Sequence, residues 1–259
     1  MAVVGYGRHK KDPVRETPNT TDHFLAPKPK MIFCYGDSLT YGFPPPATPY
    51  AESLERELNN LYYPALDSDS SSPRSETHPP HDPPVNVQHL GIPGYTAAMM
   101  LNHFNDENTG LCPVIRLNRT ISLVIILVGT NDIAVTTDTT KDGARSILQN
   151  IVDLHSRALE CHADKDYGTL HTMAIGIPGS AYQDMTHSIA ESATYINEGL
   201  KNFASSNSRI SYFDFPFPYR ENDGKWDEDG THMSEEGYKQ LGRSLAPQVK
   251  EILDSIDFP

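Results

Sequence analysis

Basic residues are scarce in this sequence: 21 Lys and Arg stand against 34 Asp and Glu, giving a formal net charge of −13. Nucleic acids and anionic membrane surfaces present phosphates that need cations, so the deficit argues against both as partners. Cysteine is scarce as well. Cys34, Cys112 and Cys161 are odd in number and lack a Cys-x-x-Cys spacing, a pattern expected of core filling or a reducing compartment rather than of a disulfide framework. No run approaches the roughly 18 apolar residues of a membrane-spanning helix. The apolar part of MAVVGYGRHKKDPVRETPNT is too short for a secretory signal peptide. These absences together give a cytoplasmic expectation.

A chain of 259 residues suits one α/β domain. Residues 1–29 are polar and Pro-containing and read as an N-terminal arm, which leaves a single domain over 30–259. One Pro/Ser-rich insertion interrupts it at 64–86, where six prolines exclude a helix or a central strand. Elsewhere short apolar runs alternate with helical patterns. Strands are expected at Met31–Tyr35, Val85–Leu90, Ile121–Val128, Thr172–Ile177 and Ile210–Phe213. Helices are expected near 49–61, 96–107, 141–162, 183–205 and 235–256. The run after Ser122 is apolar without alternation, as in a strand covered on both faces. The β-α alternation predicts a three-layer α/β/α fold with a central parallel five-stranded sheet. In such sheets ligands bind off the carboxyl ends of the strands.

Four of those ends carry chemistry. Ser38 in Gly36-Asp37-Ser38 follows the first strand, where a hydroxyl can be rigid yet exposed, although Ser also caps helices there. Gly94 follows the second strand and can present its N–H with no side chain in the way. Asn131 in Gly129-Thr130-Asn131-Asp132 follows the third and can aim its amide into the same crevice, or bond its own turn. Asp229 and His232, three apart before the last helix, can face one another, so that a carboxylate holds an imidazole in one tautomer. His78 and His81 lie in the insertion without the Cys or carboxylate cluster of a metal site.

Singly these are ordinary turn residues; in this order they are not. GDSLTYG, a glycine turn after strand two, GTND and DGTHMSEEGY resemble the four blocks of the SGNH/GDSL hydrolase family, over roughly residues 31–242. Pro93 stands where many members have Ser. The resemblance implies the flavodoxin-like SGNH hydrolase fold and a serine esterase working through an acyl-enzyme. It casts Ser38 as nucleophile, His232 as base and Asp229 as its orienter, with Ser38, Gly94 and Asn131 forming the oxyanion hole. Neither metal nor cofactor is called for. Acyl transfer to an alcohol and carbohydrate deacetylation use the same intermediate. A ligand-binding protein on a decayed scaffold is disfavoured by the intact residues.

The substrate expected is a small or medium soluble ester. Asp37, Ile133, Phe217, Tyr219 and Trp226 are candidates for lining its cleft, the aromatics among them serving equally to anchor a long loop to the core. Oligomeric state is not encoded in any pattern read here.

Overall fold

The most apolar segment, Ile121–Leu127, forms the middle strand of a five-stranded sheet in which every pairing is parallel. The computed structural model describes residues 30–63, 85–136, 140–161, 169–220 and 222–256. The arm at 1–29 and all of the insertion except Val85 and Asn86 lie outside the described residues. Those two residues open the second strand. The strands are β1 (Lys30–Gly36), β2 (Val85–Gly91), β3 (Ile121–Leu127), β4 (His171–Ile175) and β5 (Ile210–Phe213), in the order β2-β1-β3-β4-β5. The helices are α1 (Ser38–Tyr41), α2 (Tyr50–Tyr62), α3 (Ala97–Asn102), α4 (Leu111–Leu117), α5 (Thr130–Val135), α6 (Lys141–Cys161), α7 (Ala181–Met185), α8 (His187–Ser205) and α9 (Glu235–Ser255).

Strand periodicity sorts the core into two halves. Phe33 and Tyr35 of β1 and Val124 and Ile126 of β3 pack with Met100 of α3, Ile115 of α4, Leu154 of α6 and Ile196 of α8. Their neighbours Ile32, Cys34, Leu123 and Ile125 face the other way, against Leu54 of α2 and Leu241 of α9. Side chains on successive strand residues point to opposite faces, so a strand buried on both must be apolar throughout. Each fully buried Leu or Ile in these layers contributes about 1.5–3 kcal/mol. The three-layer α/β/α fold read from the sequence is the fold observed.

Three details differ from the sequence reading. The helical stretch expected over 183–205 is two helices that break at Thr186. The stretch expected over 96–107 stops at Asn102, and α4 was not anticipated. Pro113 is tolerated in the first turn of α4, where its missing N–H has no intrahelical acceptor. The third difference concerns cysteine. Cys112 and Cys161 form a disulfide, with Cα atoms 5.9 Å apart, that ties the start of α4 to the end of α6. Packing of both helices on the same core half brings together thiols 49 residues apart in sequence. Cys34 alone is free, and burial pushes its thiol up to about 12.

Helix α9 is fixed at its start. The Ser234 hydroxyl accepts from the Gly237 N–H at 3.2 Å, and Glu235 and Glu236 occupy the positive first turn. Tyr238, Leu241, Leu245 and Val249 form the expected buried stripe, which continues through Leu253 rather than Ile252.

Candidate active site

β1 can deliver Ser38 only because its last residue is glycine. A Cβ at Gly36 would lie 2.2 Å from the Leu127 carbonyl oxygen, so any side chain would push β1 away from β3. The Asp37 N–H then donates to that same carbonyl at 3.3 Å. The Asp37 carboxylate accepts from the Leu39 N–H at 2.9 Å, which caps α1. Ser38 is the first residue of α1 and is 7% exposed, so its main chain is held on both sides.

The partner arrives from the far end of the chain. Ser38 Oγ lies 2.8 Å from His232 Nε2, and His232 Nδ1 lies 2.5 Å from Asp229 Oδ2. The segment around them is closed by the Asp227 N–H donating to the His232 carbonyl at 2.8 Å and by an antiparallel bridge between Trp226 and Met233. Asp229 Oδ1 accepts from the N–H groups of Thr231 and His232 at 2.8 and 2.9 Å. Burial raises the Asp229 carboxyl, but bonds from the His232 side chain and from the His232 and Thr231 N–H groups outweigh it, so it sits below the ordinary carboxylate range. An ionised Asp229 thus accepts from Nδ1–H, which leaves the Nε2 lone pair facing the serine.

The second strand end carries the turn Ile92-Pro93-Gly94-Tyr95, closed by the Tyr95 N–H donating to the Ile92 carbonyl at 3.1 Å. Pro followed by a glycine at φ +80° is the pattern of a type II turn, which explains Pro93 in this block. Nothing lies within 4 Å of where a Gly94 Cβ would be, so this glycine answers to its φ and not to crowding. The Asn131 side chain donates one amide hydrogen to the Tyr95 carbonyl at 2.9 Å, which leaves its second hydrogen uncommitted. Asp132, beside it, accepts the Ala97 N–H with both oxygens, at 3.1 and 2.9 Å. Burial pushes the Asp132 carboxyl up to about 6 against the pull of that N–H.

Not every residue expected at the cleft reaches it. Asp37 is wholly buried, and burial drives its carboxyl up to about 7, with the Leu39 N–H opposing and Asp132 adding to the rise. Ile133 and Phe217 are 2% and 5% exposed and belong to the core halves. Phe217, Tyr219 and Phe215 gather around Trp226 at centroid distances of 5.4 to 5.9 Å, and the indole N–H donates to the Pro218 carbonyl at 3.1 Å. That arrangement is the loop anchor. Trp226 shows one edge to a groove of about 500 Å³, walled by Pro44–Ala47 and Met233. Tyr219 is half-buried and packs beside Gly230.

Two residues went unread in the sequence. Phe43, 36% exposed, places its ring against the His232 imidazole. Its place one residue past GDSLTYG was the only available signal. Asp132 was quoted within GTND without a role, because nothing local reveals that its partner is Ala97. Among the described residues no three His, Cys, Asp or Glu side chains gather to hold a metal, and no helix is long and apolar enough to cross a membrane.

A sequence profile described as the GDSL-like lipase/acylhydrolase family matches residues 34–240. The fold is similar to that of Est24, a carbohydrate acetylesterase from Sinorhizobium meliloti, at TM-score 0.57 and 18% identity, covering 86% of this chain and 99% of that one. It is similar to the M. smegmatis aryl esterase at TM-score 0.57 and 21% identity, over 86% and 99% of the two chains. The lipase Lip_vut3 from a goat rumen metagenome aligns at TM-score 0.61 and 15% identity, over 84% and 96%. No curated protein sequence matches the chain.

Proposed function

The chain belongs to the GDSL-like lipase/acylhydrolase family, and from that premise we propose that it is a serine esterase that cleaves carboxylic esters of small to medium size through an acyl-enzyme on Ser38. The observation that carries this reading is the unbroken Ser38–His232–Asp229 contact chain at 2.8 and 2.5 Å. In the first half-reaction His232 Nε2 takes the Ser38 hydroxyl proton as Oγ attacks the ester carbonyl carbon. Asp229 stabilises the imidazolium so formed. The oxygen that becomes negative is met by the N–H groups of Ser38 and Gly94 and by the free amide hydrogen of Asn131, a set of donors fixed before the substrate arrives. His232 returns the proton to the departing alcohol. Water then enters, His232 takes its proton, and attack on the acyl carbon releases the acid and restores Ser38.

Support for the oxyanion assignment comes from the Gly94 turn, which closes through Tyr95 and leaves the Gly94 N–H outside its own hydrogen bond. The test is covalent labelling with a fluorophosphonate, followed by peptide mapping, beside turnover of a panel of aryl, alkyl and sugar acetates. Modification of Ser38, together with loss of ester turnover in Ser38→Ala by about 10³-fold or more, is the expected result. Labelling at another serine, or an active Ser38→Ala, refutes the assignment.

A further inference from the structure

The tip of the Gly94 turn has no packing of its own: Gly94 is exposed and has open space where a side chain would sit. Ile92 and Tyr95, at the two ends of the turn, pack against the core, and three hydrogen bonds set its position on that base. The Ile92 N–H donates to the Gly36 carbonyl at 2.9 Å, on the main chain just before Ser38. The Tyr95 carbonyl accepts from the Asn131 side chain at 2.9 Å. Two residues further on, Ala97 N–H is gripped by both oxygens of Asp132. Ala97 is the first residue of α3 and is fully buried, and Asp132 is 5% exposed, so this contact is shielded from competing water.

We propose that Asp132 is a positioning residue for the oxyanion hole: its carboxylate fixes the start of α3 and so sets the distance of the Gly94 N–H from the Ser38 ester. The inference rests on the acyl-enzyme reading above and extends it to a residue that touches neither substrate nor nucleophile. Neighbouring Asn131 and Asp132 hold the turn from both sides of Thr96, and both ride on α5. Movement of α5 relative to β2 therefore displaces both Gly94 and Asn131. Loss of the Asp132 contact loosens the exposed tip of the turn, which is left with two bonds and the packing of Ile92 and Tyr95, and misplacement of one donor weakens an interaction made in the transition state without altering ester binding.

The experiment compares Asp132→Ala, Asp132→Asn and Ala97→Pro with the full-length parent, using p-nitrophenyl acetate. Rates are expressed per active site titrated with a fluorophosphonate. Proline is compatible with the first position of a helix and removes the N–H that Asp132 grips, leaving Asp132 itself intact. Expected are a loss of kcat of about tenfold to a hundredfold in Asp132→Ala, a KM within about twofold, and a matching rise in Ki for a trifluoromethyl ketone, whose serine adduct carries an oxyanion. Asp132→Asn, whose amide oxygen still accepts the N–H, should recover most of kcat. Ala97→Pro should reproduce the loss, and Asp132→Ala combined with it should lose no more. A folded Asp132→Ala with parental kcat per titrated site, or a kcat loss unaccompanied by a change in ketone Ki, overturns the proposal while leaving the esterase reading intact. Absence of ester turnover and of Ser38 labelling in the parent overturns both. Should Asp132→Ala fail to fold, Ala97→Pro decides on the same readouts.

Discussion

The Phe43 ring lies against the His232 imidazole, with centroids 4.7 Å apart and planes inclined by 58°. Tyr238 of α9 holds it there by donating its hydroxyl to the Phe43 carbonyl at 2.6 Å, and the Thr48 N–H, further along the same loop, donates to Glu235 at 2.6 Å. Helix α9, which begins just after His232, therefore anchors the loop that carries the covering ring. An aromatic pair of this kind is worth about 0.5–1.5 kcal/mol. Phe43→Ala should accordingly lower kcat/KM for p-nitrophenyl acetate by about twofold to tenfold. An unchanged kcat/KM would mean that Asp229 alone orients His232.

Asn131→Ala removes both the bond to Tyr95 and the amide hydrogen that the proposed mechanism directs at the oxyanion. We expect kcat to fall by about 10²–10³-fold with little change in KM. A rise in KM at constant kcat would make Asn131 a ground-state binding residue.

Acid should destabilise the fold through His155 of α6. It is fully buried, neither ring nitrogen has a hydrogen-bond partner among the described residues, and burial drives its pKa down to about 3. An unfolded His titrates near 6.5, so the unfolded chain binds the extra proton first as pH falls. The stability at stake is present above about 6.5 and is lost progressively down to about 3, on the order of 2 kcal/mol by pH 5. Asp37 acts with the opposite sign. Its raised carboxyl favours the folded state in acid, and that contribution is lost as pH rises from about 4 through about 7. The difference between His155→Leu and the parent isolates the histidine. Calorimetry should show the variant gaining melting temperature relative to the parent as pH drops from 7 to 5; a constant gap contradicts the assignment.

Reduction should destabilise the fold as well. The Cys112–Cys161 bridge closes a loop of 49 residues, for which chain-entropy arguments give about 4 kcal/mol as an upper value. Dithiothreitol, or Cys161→Ser, should lower the melting temperature by about 8 °C or less. No shift, together with two extra thiols by titration of the native protein, would show that the bridge does not form.

The sheet was legible because β1, β3 and β4 are largely apolar runs closed by Gly36, Gly129 and Gly176, and because Ile121–Leu127 has too few polar residues to be anything but central. The candidate-site blocks were legible from local signatures, those of Ser38, Gly94 and Asn131 at strand ends and that of Asp229 and His232 just before the last helix. What could not be read depends on contacts distant in sequence. Phe217 and Trp226 could line the cleft or anchor a loop by their place near His232, and only the packing of one ring against another favours the anchor. Asp37 was a candidate for lining the cleft, yet its carboxylate is buried and caps α1. The bridge between Cys112 and Cys161 needs α4 and α6 on one face of the sheet, which spacing alone does not announce.

Ser38 and His232 are 194 residues apart in sequence, and the distance between them closes only when α9 docks against α2. On the proposed acyl-enzyme reading, the serine's nucleophilicity is therefore a property of the finished molecule. A nascent or refolding chain can hold β1, β3 and much of its helix content while Ser38 remains an ordinary alcohol. Contacts of such long sequence separation form late, after the loop entropy has been overcome. Time-resolved labelling by a fluorophosphonate should consequently lag behind the recovery of helical circular dichroism, so that the reagent that marks the active serine also clocks the last docking step of the domain.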